Sequence, residues 1–316
     1  MNYIRDFTQL NKNDTHLAGG KGASLGEMTK AGLPVPSGFV ILSTAFEKFF
    51  EKANLKTNID SVLNFVNPKN IDDIEKDSKK IQTFIIKSEI PKDITEEITQ
   101  SFKKLFSRYV AVRSSATVED SAADAWAGQL ETYLNTNKNT LLENVKKCWA
   151  SLFTPRAISY RFEKGLQNKK ISVAVVVQKM VASDVSGVAF SVHPVTEDHN
   201  HIVIEAGFGL GEPIVSGQIT PDNYIIAKRA LQIHSKNVFQ QEAALFRAKG
   251  GGNIWKKLSF KKGNRQTLSD EEIKELAQHV INIENYNGFP VDVEWAKERK
   301  KFYIVQCRPI TKLGGN

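Results

Sequence analysis

The sequence predicts an α+β fold with largely antiparallel sheets, arranged as lobes around a cleft. Three observations predict it. Strand-like runs at 172–180, 185–192, 201–206 and 223–227 follow one another without intervening helices. Helical patterns gather instead in residues 43–107. The chain closes on a hairpin pattern, 290–297 and 302–308. A doubly wound parallel sheet would need regular βαβ alternation, which is absent.

Taken in order, residues 20–31 read as a helix ending at Ala31-Gly32, and Leu33-Pro34-Val35-Pro36 as a stiff extended connector, because proline fixes φ and restricts its predecessor. Phe39–Leu42 reads as a short strand. Helical patterns follow near 44–54, 71–88 and 93–107, with Ile71, Ile74, Ile81, Phe84 and Ile85 marking one apolar stripe. Tyr109–Arg113 reads as a strand, and helices are expected near 139–150 and 155–164. Residues 236–268 resist assignment, and Gly250-Gly251-Gly252 suggests a loose connection. A helix near 270–286 should start at Ser269, with Glu272 completing a capping box. These changes of character suggest lobes at roughly 1–108, 109–235 and 236–312, with 313–316 a tail or the start of a linker.

The 316 residues carry 41% hydrophobic and 25% charged side chains, ordinary for a water-soluble globular protein. No apolar run approaches the roughly 20 residues of a spanning helix, and the N-terminus lacks a signal-peptide core. Cys148 and Cys307 sit in no metal-like spacing, which suits a reduced, cytoplasmic protein. The net charge of +8 comes from scattered lysines without interleaved aromatics. It reads as a solvated surface rather than a nucleic-acid footprint.

Several segments could carry chemistry. Gly19-Gly20-Lys21-Gly22-Ala23-Ser24-Leu25-Gly26 offers glycines, a lysine and a helix start, all suited to phosphate. It is not a Walker A loop, because Gly22 follows the lysine, nor a dinucleotide fingerprint, because Leu25 replaces the last glycine. A purely packing role stays open. Arg113-Ser114-Ser115-Ala116-Thr117 places an arginine and hydroxyls at a strand end, suited to polyphosphate or to a helix-capping turn. Ala127-Gly128-Gln129, before Leu130–Tyr133, could fold over phosphates as a lid. Val175–Val181 is an apolar strand whose end could meet an adenine edge or simply belong to the core. Glu205–Pro213 is glycine-rich without a Rossmann spacing and reads as a close backbone approach.

The final hairpin is the sharpest local signal. Side chains two apart in a strand share a face, so Asp292 and Glu294 point one way and Val291, Val293 and Trp295 the other. With residues 299–301 as the turn, Asp292 lies opposite Arg308 and Glu294 opposite Gln306. Two carboxylates and an amide oxygen are hard ligands of the kind Mg²⁺ prefers, and an arginine beside them could neutralise a transferred phosphoryl group. A salt-bridged surface hairpin would look the same.

As an ordered set these segments are specific. Residues 19–28, 31–41, 112–120, 127–129, Ser186–Ser191, Gly209–Glu212 and Gln306–Thr311 resemble the ATP-binding domain of the phosphoenolpyruvate synthase (pyruvate, water dikinase) and rifampicin phosphotransferase family, across residues 1–312. The resemblance implies an ATP-grasp fold with ATP in a cleft between lobes. It implies Lys21, Arg113 and Ser114 on phosphates, with Gly128, Gln129 and Thr132 in the covering loop. Gln178 and the main chain at Met180 and Val181 would sit by the adenine. Glu294 and Gln306 would bind Mg²⁺ with Asp292 beside them. Arg308, with Arg113 and Lys21, would act in phosphoryl transfer. In such enzymes the β-phosphate of ATP passes to a histidine on a separate swivelling domain, with release of AMP and phosphate.

The family's phosphohistidine segment is not found here, since His16, His193, His199, His201, His234 and His279 stand in no such context. The implied partner is therefore a phosphohistidine domain, in trans or in a longer parent chain, with pyruvate or another acceptor reached only through missing domains. No nucleic-acid or membrane partner is expected. A non-catalytic ATP-binding regulatory subunit, the ATP-binding part of a rifampicin phosphotransferase-like enzyme and a carboxylate-activating ATP-grasp ligase are the competing readings.

Overall fold

The computed structural model describes residues 2–117, 131–166 and 171–311. It forms two compact units, residues 1–27 with 37–180 and residues 28–36 with 181–316.

The first unit runs β1 (Ile4–Asp6), α1 (Thr15–Lys30, its last residues in the second unit), β2 (Gly38–Ile41), α2 (Ser43–Lys52), α3 (Leu55–Leu63), α4 (Ile71–Lys87), α5 (Lys92–Lys104), β3 (Val110–Ala116), β4 (Thr132–Thr136), α6 (Leu141–Ala150), α7 (Pro155–Glu163) and β5 (Val173–Lys179). Among the described residues its strands make one antiparallel sheet in the order β1-β2-β5-β3-β4. The expected helices at 44–54, 71–88 and 93–107 appear as α2, α4 and α5. Helix α3 is an addition. Its buried residues Leu55, Ile59 and Val62 recur at helical spacing, a signal present in the sequence. Helix α4 starts where the Asn70 side chain accepts from the Asp72 and Asp73 amides, and buries Ile74, Ile81 and Ile85.

Strand alternation separates the two faces of this sheet. Val110, Val112, Val173, Val175, Val177, Phe39 and Ile41 join one core with the helices, where Phe49 stacks on Trp149 at 4.9 Å. Ala111, Arg113, Ser115 and Gln178 occupy the opposite face with Val40. Helix α1 lies close to that face. Gly19 (φ 66°) breaks the helix there, and a Cβ on it would stand 2.7 Å from the Ala116 carbonyl oxygen and nearer still to Ser115. Only glycine fits both the dihedral and the space.

The second unit runs β6 (Val185–Phe190), β7 (His201–Phe208), α8 (Glu212–Val215), β8 (Asp222–Ala227), β9 (Gln232–Asn237), β10 (Ala243–Arg247), β11 (Asn253–Lys257), α9 (Phe260–Gly263), α10 (Asp270–Asn287), β12 (Val291–Glu298) and β13 (Lys301–Pro309). Among the described residues the main sheet has the order β13-β12-β6-β7-β8-β9, all antiparallel. Helix α10 begins with the expected Ser269/Glu272 capping box and packs across β12, β7, β8 and β9. It buries Ile273, Leu276, Ala277, Val280 and Ile283.

Residues 236–268, unassigned from the sequence, contain the β10–β11 hairpin, with Gly250-Gly251-Gly252 as its turn. Two buried polar side chains tie this segment down. Asp222 accepts from the Phe239 and Thr267 amides (3.0 and 2.9 Å) and from the Thr267 and Tyr224 hydroxyls (2.8 and 2.9 Å). Gln241 accepts from the Phe208 amide and donates to the Ala206 carbonyl, extending the ladder with a side chain. The close backbone approach expected at 205–213 occurs at Gly209 (φ 79°), which bridges to Leu245 and leaves no room for a Cβ.

Gly19→Ala is expected to cost more than about 1 kcal/mol in denaturant unfolding. Gly20→Ala, whose added Cβ meets nothing within 4 Å, should be neutral or stabilising by up to about 1 kcal/mol. Asp222→Ala leaves several buried donors without an acceptor and should cost at least about 3 kcal/mol by the same measurement.

Candidate functional site

In the first unit, the sheet face near α1 carries Arg113 and Gln178, and Lys21 meets the main chain of Ser114 at its edge. Lys21 Nζ donates to the Ser114 carbonyl oxygen at 3.0 Å. The Ser114 hydroxyl donates to the Glu131 carbonyl at 2.9 Å. Arg113 is buried, pairs with Thr132 across β4, and reaches the Gln178 side-chain oxygen through Nη1 at 3.5 Å. Gln178 is 2% exposed, and its Nε2 has no hydrogen-bond acceptor among the described residues. A buried amide donor left unmatched in this way costs free energy that an incoming acceptor can recover. The Met180 amide donates to the Tyr109 carbonyl at 3.1 Å, so its main-chain donor is engaged within the unit. Gly128 and Gln129 lie outside the described residues. Val181 is buried and belongs to the second unit.

Three of the four glycines of the 19–26 segment are explained by packing. Gly19 abuts Ser115 and Ala116, Gly22 abuts Val40, and Gly26 abuts Leu10. Lys21, in the turn after the Gly19 break, is the member of that segment whose charge reaches the polar face.

In the second unit the hairpin pairs Asp292 with Arg308 and Glu294 with Gln306, the expected register. The turn differs from expectation. Glu298 pairs with Lys301, so two residues turn the chain rather than three. Arg299 takes the left-handed conformation (φ 57°), and its amide donates to Asp184 at 2.7 Å. A register shift between Glu294 and Trp295, with Val305 as the extra residue of β13, restores the offset. Without that bulge, Val305 and Cys307 would face the carboxylates in place of Gln306 and Arg308.

The patch is tightly organised. Arg308 donates through Nε (2.7 Å) and Nη2 (2.6 Å) to Asp292 Oδ2. Asp292 is 9% exposed at its side chain while Arg308 is 54% exposed, so a surface guanidinium is anchored on a buried carboxylate. Burial raises the pKa of Asp292 above the usual aspartate range, outweighing the lowering by Arg308. Gln306 Nε2 donates to Glu294 Oε1 at 2.7 Å. Among the described residues no three His, Cys, Asp or Glu side chains are grouped to hold a metal. Asp292 and Glu294 supply only two carboxylates, and the third hard ligand of the patch is the Gln306 amide oxygen. That set fits Mg²⁺, which takes few protein ligands and completes its shell with phosphate oxygens and water.

One residue of this face was not recognised from sequence. Glu205 on β7 pairs with Val188 on β6, which pairs with Glu294. It is half-buried, and its pKa is raised by burial and then by the charge of Asp292. The alternation of residues 201–206 could mark its side of the strand, but only the strand order brings that side to Glu294. Cys307 lies on the opposite side of β13 from Gln306 and Arg308, and burial pushes its thiol up to about 12. Cys148 is buried and pushed up for the same reason.

Helices on one side of an antiparallel sheet and a second, carboxylate-bearing antiparallel sheet define this as an ATP-grasp protein. The chain belongs to the family of the pyruvate phosphate dikinase AMP/ATP-binding domain, which matches residues 15–316. It is 42% identical over 99% of its length to a probable phosphoenolpyruvate synthase of Methanocaldococcus jannaschii, covering 27% of that protein. It is 46% identical over 97% of its length to a probable phosphoenolpyruvate synthase of Archaeoglobus fulgidus, covering 41%. A rifampicin phosphotransferase of Bacillus cereus is 38% identical over 98% of the chain, which covers 36% of that relative. The chain thus spans less than half the length of these curated relatives. No helix among the described residues is long and apolar enough to cross a membrane.

The two thiols are expected to be silent in the native protein. A chromogenic disulfide reagent near neutral pH should label both only on unfolding, because the raised pKa values leave almost no thiolate and burial blocks access.

Proposed function

We propose that this chain is the ATP-binding half of a phosphotransferase, which binds Mg-ATP and directs its β-phosphoryl group to a histidine on a separate phosphohistidine domain. AMP leaves, and the γ-phosphoryl group is released as inorganic phosphate with water as its acceptor. The observation that carries the reading is the hairpin register, which sets Asp292, Glu294, Gln306 and Arg308 on one face. Membership in an AMP/ATP-binding domain family supports it.

Each residue has a role that follows from its chemistry. Glu294 and Gln306 would hold Mg²⁺ with Asp292 beside them, and the ion would neutralise phosphate charge. Arg308 is exposed enough to leave Asp292 in part and meet charge developing on the transferred group. Lys21 and Arg113 present fixed cations to the phosphates, Lys21 as a point charge and Arg113 as a planar donor. Ser114, Thr132 and the covering loop at Gly128-Gln129 complete the phosphate contacts. The unmatched Nε2 of Gln178 is the donor offered to the base, near the main chain of Met180 and Val181. Acceptor choice, whether pyruvate or a rifamycin, would belong to domains acting in trans or in a longer parent chain. Names among the relatives include both phosphoenolpyruvate synthase and rifampicin phosphotransferase.

The test supplies the chain with Mg-ATP and a separately produced phosphohistidine domain from a phosphoenolpyruvate synthase, and follows AMP. AMP should form in proportion to phosphohistidine. Glu294→Ala and Arg308→Ala should each lower its rate by about 100-fold or more. ADP as the product would point to carboxylate activation instead. Full activity of the Glu294→Ala assembly would favour a regulatory subunit.

A further inference from the structure

We propose that Glu205 recognises the sugar hydroxyls of the bound nucleotide and sets its preference for a ribose. The inference rests on the nucleotide-binding reading above and names a residue which that reading leaves without a role.

Opposed residues of antiparallel strands share a face. The registers Gln306–Glu294, Glu294–Val188, Val188–Glu205 and Glu205–Asn223 therefore form one row across β13, β12, β6, β7 and β8. Strands lie about 4.8 Å apart, so the backbone of Glu205 stands about 10 Å from that of Glu294. The row starts at the ligand set proposed for Mg²⁺ and ends on a carboxyl and a carboxamide, with Val188 between. In the next row on the same face, Phe190, Val203 and Ile225 are apolar.

Glu205 differs from the other buried acids of this unit. Asp222 is saturated by hydrogen bonds and Asp292 is held by Arg308. The Glu205 carboxyl has no hydrogen bond or ion pair with a described residue. A half-buried carboxylate beside apolar neighbours is unfavourable unless a donor reaches it.

The chemistry of that donor is restricted. A carboxylate only accepts hydrogen bonds. Polyphosphate offers it nothing but like charge. Donors on a nucleoside triphosphate are the sugar hydroxyls and any base amine. The sugar follows the α-phosphate directly and lies within two strand spacings of the metal-held phosphates. A vicinal diol matches the two oxygens of one carboxylate, and Asn223 beside it supplies a further donor and acceptor.

Calorimetric titration with Mg-ATP and with its 2′-deoxy, 3′-deoxy and 2′,3′-dideoxy analogues tests this on the full chain. The unmodified protein should prefer ATP over the dideoxy analogue by about tenfold or more, the effect of hydrogen bonds to a charged group. Glu205→Ala should weaken ATP by about that factor and leave the dideoxy analogue unchanged, which also reports an intact fold. Glu205→Gln should fall between. Retention of the ATP preference in Glu205→Ala would overturn the proposal. So would a change confined to Mg²⁺ dependence, or to ATP against GTP. Failure of the unmodified protein to bind any nucleotide would instead overturn the underlying nucleotide reading, and this inference with it.

Discussion

The pairing of β12 with β13 is the constraint on which the chemistry of the second unit depends. A strand has a side-chain period of two, so a slip of one residue exchanges its faces completely. Here a two-residue turn sets one register and the bulge at Val305 sets the next. The bulge delivers Gln306 and Arg308 to the acidic side and sends Cys307 to the buried side. Trp295 and Phe302, packed edge to face at 5.7 Å on the turn side of the bulge, belong to the register that the turn sets. The apolar side of β12 is closed over by α10, so the patch lies on the face turned away from that helix.

The first unit solves a related problem by layering. The helices α2 to α7 take one side of its sheet, and the valines of β3 and β5 fill it. The other side carries Arg113, Gln178 and Ser115, and α1 approaches it at Ser115 and Val40 through Gly19 and Gly22. Gly19 makes the close approach possible, and Lys21 binds the Ser114 carbonyl just beyond it. Conformational freedom at one glycine and the position of one cation are thus parts of a single local arrangement.

Buried polar groups in this protein fall into two kinds. Asp222 and Gln241 meet their partners within the fold and fasten the segment 236–268. Gln178 Nε2 and the Glu205 carboxyl do not. The first kind repays desolvation by organising the chain. The second kind keeps hydrogen-bonding capacity in reserve on the two faces where the proposed ligand contacts gather.

Much of this was legible in the sequence. The α+β class, the helices α2, α4, α5 and α10 and the Ser269 cap follow from local periodicity and capping chemistry. These depend on neighbours within a few residues. The pairing of Asp292 with Arg308 and Glu294 with Gln306, expected from a three-residue turn, is instead reached through a two-residue turn and the Val305 bulge. Helix α3 carried a readable stripe at Leu55, Ile59 and Val62 that was passed over. The β10–β11 hairpin was obscured because β11 is exposed along its whole length, so no buried alternation marks it, and its bond to the fold runs through Asp222 and Gln241. Tertiary structure alone decided the strand order β12-β6-β7-β8, which carries Glu205 and Asn223 to the face of Glu294. It also decided that Gly19, Gly22 and Gly26 serve packing. Both are long-range facts, since a local pattern specifies which side of a strand a residue occupies but not which strand lies beside it.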